Sequence, residues 1–108
     1  MKIVHFEKMK AFSSEKMKKT NLFNTDRLFC DLYCFEPGQV QKVHAHDGED
    51  KVYTVLEGTG TFQVGEDVEN VAAGSSILAP AGQPHGVNNT SGNRLVVLVF
   101  MAPRPHHG

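Results

Sequence analysis

The chain has 108 residues, of which 40% are apolar, and a formal charge of −1. That length buries one core and not two, so a single domain over 1–108 is expected, and the near-neutral balance gives no handle for nucleic acid or an anionic membrane. No apolar run approaches the roughly 18 residues of a membrane span, and the N-terminus lacks a secretory core while Glu7 and Glu15 argue against a presequence, so a cytoplasmic setting is expected.

Residues 1–20 read as an N-terminal arm. Within it only 13–20 carries a helical signal, with Ser13 or Ser14 as N-cap, and His5 reads as structural. From there the punctuation is that of an all-β protein, with a core over 27–102. Apolar runs predict strands at 27–36, 40–46, 51–57, 60–64, 67–72, 76–79, 85–89 and 94–101. Turn signals separate them, among them Pro37-Gly38, Asp47-Gly48, Gly58-Thr-Gly60 and Pro80-Ala-Gly82. Their spacing, mostly 7 to 11 residues, is that of a sandwich or barrel.

Cys30 and Cys34 fall on one predicted strand. Four strand residues span roughly 13 Å, whereas a disulfide needs Cα atoms within about 7 Å. Buried free thiols are therefore expected. The last strand, Leu95-Val-Val-Leu-Val-Phe-Met101, is apolar at every position, so both faces need burial. One face fills the barrel. The other is covered either by a second subunit, as a homodimer packed sheet to sheet, or by residues 1–25 folding back. The tail, 103–108, is expected to be extended and flexible, and its His106 and His107 would bind metal only adventitiously.

Three histidines carry the chemical signal. Residues two apart on a strand share a face, so His44 and His46 present two imidazoles together. His85, from a distant strand, completes a three-nitrogen cap. Around them, Gly38, His44, His46 and Gly58 form one spaced set, and Gly74, Pro80, Gly82, His85 and Asn89 form another. These two sets resemble the paired motifs of the cupin superfamily, and the resemblance spans residues 30 to 100. It implies a jelly-roll-type β-barrel with a divalent transition metal in its mouth, usually iron, manganese, nickel, zinc or copper. Asn89 reads as support for the turn that follows His85.

One position departs from that family. Its glutamate ligand would fall at residue 51, which is Lys51, and a protonated lysine has no lone pair for a metal. Three arrangements stay open: a three-histidine site, a local bulge that turns Asp50 inward as the fourth ligand, or a barrel without metal in which Lys51 anchors an anionic ligand. Lys51 beside a dication is unfavourable unless the lysine loses its proton. Tyr53 shares its parity, so both are candidate catalytic groups.

Three neutral nitrogen donors suit such ions and leave coordination positions open. A small metal-dependent enzyme follows, dioxygenase-like or isomerase-like, acting on a small-molecule substrate. The competing reading is a non-catalytic barrel that holds a small ligand, since fold alone does not separate the two.

Overall fold

The structure is a computed structural model that describes residues 1–104. Among them, one short helix, α1 (Phe6–Met9), precedes nine strands: β1 (Lys18–Asn24), β2 (Phe29–Phe35), β3 (Val40–His44), β4 (Asp50–Glu57), β5 (Thr59–Val64), β6 (Asp67–Ala72), β7 (Ser76–Ala79), β8 (His85–Asn88) and β9 (Leu95–Ala102). They form two antiparallel sheets, ordered β1-β2-β9-β4-β7 and β3-β8-β5-β6. The two sheets face each other as a jelly-roll barrel, as the turn spacing predicts. No helix among the described residues is long and apolar enough to cross a membrane.

The period-2 rule assigns the core. Along β4, Lys51, Tyr53 and Val55 are buried, whereas Val52, Thr54 and Leu56 are only partly covered. On β2, Tyr33 and Phe35 join Tyr53, Val55, Phe62, Val97 and Val99 in the main cluster between the sheets. Each fully buried apolar side chain there contributes roughly 1.5–3 kcal/mol. Cys30 and Cys34 point the other way, buried and unpaired as expected.

The outer face of β2 and β9 has its own cover. Leu22, Cys30, Leu32, Cys34 and Val96 form a second cluster, capped by Val4, Met9 and Phe12 from the N-terminal arm. The arm therefore folds back over one half of the five-stranded sheet. Over the other half, Phe100, Val52 and Leu78 pair across β9, β4 and β7. Phe100 and Leu78 in this row are exposed, at 37% and 58%.

Three boundaries differ from the sequence reading. Residues 13–20 hold no helix: the Ser13 hydroxyl accepts from the Glu15 amide in a local turn, and β1 begins at Lys18. β1 looks polar because it is an edge strand whose single fully buried side chain is Leu22; it is held by backbone pairing to β2, which composition does not report. The helix that does form lies earlier, at Phe6–Met9. Finally, β3 stops at His44, so His46 sits in the following loop and not on the strand. His106 and His107 lie outside the described residues.

Candidate metal centre

A bulge on β3 aims the first histidine. Gln41 pairs with Val87 and His44 pairs with His85, so Lys42 and Val43 of β3 stand against Gly86 alone on β8. The extra residue breaks the alternation: Lys42 and Val43 both lie outward, while Gln41 and His44 both turn in. Gly86 lets the bulge approach. A Cβ there would lie 2.9 Å from the Gln41 carbonyl oxygen and 2.9 Å from Val43 Cγ2. Bulges of this kind commonly re-aim a side chain at a functional site.

His85 then faces His44 directly across the ladder. His46 arrives from its loop, where its carbonyl accepts from the Gly82 amide at 2.7 Å. The three rings lie 4.6 Å (His44–His85), 4.7 Å (His44–His46) and 5.5 Å (His46–His85) apart, centroid to centroid. One ligating nitrogen from each falls within 4.8 Å of the others.

The tautomers follow from the backbone. His44 Nδ1 donates to the Lys42 carbonyl at 2.8 Å and His85 Nδ1 donates to the Gln83 carbonyl at 3.0 Å. A carbonyl oxygen only accepts, so Nδ1 carries the proton in both rings. In the neutral rings Nε2 is then left with its lone pair. Burial pushes His85 down to about 4, with the charges of Lys51, His44 and His46 adding to the shift against the Gln83 hydrogen bond. The ring is thus neutral near pH 7. Its Nε2 is the one buried side-chain nitrogen or oxygen among the described residues that has no hydrogen-bond partner. Leaving such an atom unsatisfied costs about 1–3 kcal/mol. A neutral nitrogen with a free lone pair, beside two more imidazoles, is the donor set a transition metal takes.

Lys51 reaches the same hollow from the opposite sheet, paired to Met101 on one side and Ala79 on the other. It is only 1% exposed. Its Nζ donates to the Tyr33 hydroxyl at 3.1 Å and lies 5.0 Å from the centroids of both the Tyr33 and Tyr53 rings. The ion pairs among the described residues join Lys10 to Glu7 and Glu57, and Arg94 to Glu36; Lys51 has none. Burial lowers its pKa to about 7, helped by the Lys19 charge and opposed by Asp31.

Beneath Lys51 runs a directional hydrogen-bond chain. Tyr53 donates to Gln41 Oε1 at 2.7 Å, and Gln41 Nε2 donates to the Tyr33 hydroxyl at 3.2 Å. Tyr53, a candidate from the sequence, therefore spends its hydroxyl on the core and packs 5.4 Å from Phe62 and 6.2 Å from His85. Asp50 is exposed, and its carboxylate accepts from the Ala81 amide at 2.9 Å, which ties the turn before β8 to β4. It is not among the converging ligand atoms. Asn89 is fully buried and braces the following turn through Asn93 and Ser91.

The hollow itself measures about 360 Å³, and His44, His46, Lys51, Asp31, Lys19 and Arg104 contribute to its walls. Sequence reading did not single out Asp31, Tyr33, Gln41, Lys19 or Arg104. Asp31 is 5% exposed and accepts from Asn21 Nδ2 at 3.0 Å. Burial raises its pKa, against the pull of Asn21, Lys19 and Lys51. One signal was available for it: a carboxylate inside the apolar run Leu28-Phe-Cys-Asp-Leu-Tyr-Cys-Phe35 needs a reason to be there.

Residues 31–101 match the cupin domain family. The TT1209 protein of Thermus thermophilus superposes with a TM-score of 0.94 at 46% identity, covering 97% of this chain and 100% of that one. The oxalate-binding protein of Thermotoga maritima is 32% identical over 86 residues, 79% of this chain and 69% of that protein. Auxin-binding protein 1 of Arabidopsis thaliana is 34% identical over 83 residues, 68% of this chain and 41% of that protein.

Proposed function

The chain belongs to the cupin family, and from that premise we propose that its barrel mouth holds a divalent transition metal on His44, His46 and His85 and acts on a small anionic ligand. The observation that carries this reading is the buried, partnerless Nε2 of His85, in a ring whose other nitrogen already donates to a carbonyl. The donor chemistry suits iron, manganese, nickel, zinc or copper. Bound there, such an ion would supply a Lewis acid for a carbonyl or carboxylate oxygen, or oxygen chemistry if it is redox-active.

The remaining work falls to this chain's own side chains. Lys19 and Arg104 give the hollow a positive wall that attracts a carboxylate. Lys51 does not repel a neighbouring dication in the way a surface lysine would, because burial makes its neutral form accessible near pH 7. The Tyr33 hydroxyl holds the Lys51 amine in place. Asp31 is the carboxylate positioned in the hollow to take or return a proton, held by Asn21. This set supports a small metal-dependent enzyme, dioxygenase-like or isomerase-like.

A second reading is a non-catalytic barrel in which Lys51 anchors an anion. It is favoured by the absence of a carboxylate partner for Lys51 among the described ion pairs. The similarity to an oxalate-binding protein supports the same ligand class. The unpaired thiols suit a reducing, cytoplasmic setting. The open row Phe100–Val52–Leu78 suits a homodimer packed through this half of the sheet.

The test is metal content by elemental mass spectrometry on untagged protein. About one equivalent per chain, lost in His44→Ala and His85→Ala, is the expected result. Stoichiometric metal surviving both substitutions would remove the proposed centre. Turnover against binding alone is then separated by incubating metal-loaded protein with thiol, enediol, dicarbonyl and dicarboxylate panels.

A further inference from the structure

We infer that Lys51 is an amine nucleophile that forms an imine with small carbonyl acids, meaning aldehydes or ketones that also carry a carboxylate. The inference rests on the proposed role of the hollow as an anion-binding site, but not on the presence of the metal.

Three observations converge on this one amine. It is enclosed, with 1% of its surface exposed, and Tyr33 and Tyr53 present their ring faces to it at 5.0 Å each. Among the described residues it has no carboxylate in ion-pairing range to hold it as an ammonium, in contrast with Lys10, which contacts two glutamates. Lys51 is also among the residues that line a hollow of about 360 Å³, large enough for an acid of a few carbons. A lysine desolvated among aromatic rings and next to a second cation, here Lys19, is the setting that turns the side chain into a nucleophile. Burial accordingly brings its pKa down to about 7.

The groups facing the amine supply the rest of the step. Lys19 and Arg104 line the same hollow and attract the carboxylate of the incoming acid. The Tyr33 hydroxyl, 3.1 Å from Nζ, sets the direction of the amine. Gln41 fixes that hydroxyl, since Tyr53 occupies the Gln41 oxygen and leaves its nitrogen to donate to Tyr33. Asp31 provides the proton-carrying carboxylate on the same wall.

In the step, the Nζ lone pair attacks the carbonyl carbon and the carbonyl π pair moves to oxygen, which is protonated. The resulting carbinolamine loses that oxygen as water while nitrogen forms the C=N bond. Amine and carbonyl give imine and water, nitrogen surrenders two protons, and nothing is oxidised or reduced.

The experiment traps that bond in chelator-treated, metal-free protein at pH 7.5. Glyoxylate or pyruvate is added with cyanoborohydride, and the adduct is located by intact mass and peptide mapping. A lysine with pKa near 7 holds roughly several hundred times more free amine at this pH than an ordinary surface lysine. Lys51 should therefore carry the adduct in preference to the exposed lysines, by more than about tenfold. Lys51→Arg should lose it, and oxalate should protect against it. If Lys51→Arg does not fold, oxalate protection at Lys51 of the unaltered protein decides the matter. Labelling spread evenly over surface lysines, or an adduct at Lys51 indifferent to oxalate, would overturn the inference. The two proposals are read separately on the unaltered protein, by the metal content of one sample and by adduct formation in its chelator-treated counterpart. Metal binding without any adduct sinks the nucleophile alone, and an adduct in a protein that never binds metal sinks the centre alone.

Discussion

Replacing Lys51 by methionine should flatten the pH dependence of stability between pH 7 and 8.5. The folded protein buries this amine without a counter-ion, which lowers its pKa from 10.5 to about 7. In the unfolded chain the lysine is solvated and keeps its ordinary value. Between those two values the unfolded state binds more protons, so wild-type stability rises with pH, and protonation of the folded state costs stability as pH falls. At about 1.36 kcal/mol per pH unit, the full span sets a ceiling near 5 kcal/mol. Between pH 7 and 8.5 the gain is about 1.5–2 kcal/mol, because the folded amine is still half protonated at the lower end. Few other groups act in this window. His85, depressed to about 4, has made most of its contribution by pH 7. Cys30, pushed up to about 11, works in the opposite direction only once unfolded thiols ionise near 9. Methionine keeps the chain's bulk and removes the proton-binding site. The assay is urea unfolding of both proteins in chelator at several pH values across the window. If the wild type is no steeper than Lys51→Met, the amine is not held neutral, and the reasoning about the hollow fails with it.

Two further outcomes follow from the geometry. Gly86→Val places side-chain atoms where a Cβ alone already lies 2.9 Å from the Gln41 carbonyl. It should lower stability by about 1–3 kcal/mol and weaken metal uptake, read by thermal melting and chelator competition; unchanged metal affinity would mean the β3 bulge does not aim His44. Leu78→Lys charges the open row on the five-stranded sheet, where Leu78 pairs with Val52. Sedimentation should then show loss of the proposed homodimer while the strand signal in far-UV circular dichroism is kept, whereas a monomeric wild type would remove that proposal.

Much of the site was legible because strand chemistry is periodic. The parity that buries Tyr53 and Val55 also buries Lys51, and this needs no coordinates to foresee. The same rule failed at β3 for an identifiable reason. His44 and His46 were expected side by side on one strand, yet the strand ends at His44 and a bulge sits between Gln41 and His44. The imidazoles still converge, because the Gly82 amide holds the His46 loop. Of the two covers foreseen for the outer sheet face, the arm packs over one half, through Val4, Met9 and Phe12, and leaves Phe100 and Leu78 exposed on the other half.

By itself the sequence determined the all-β architecture, the histidines that can act together and the lysine beside them. Each of these follows from local rules of alternation, turn chemistry and residue type. Only the tertiary structure decided which ring nitrogen carries the proton in His44 and His85, since that depends on the carbonyls of Lys42 and Gln83. It also decided that Lys51 lies enclosed with Tyr33, Asp31 and Lys19, although β1 and β2 are far from β4 in the chain. A pKa and a free lone pair are properties of an enclosure, and the walls of this one come from strands that meet only when the barrel closes.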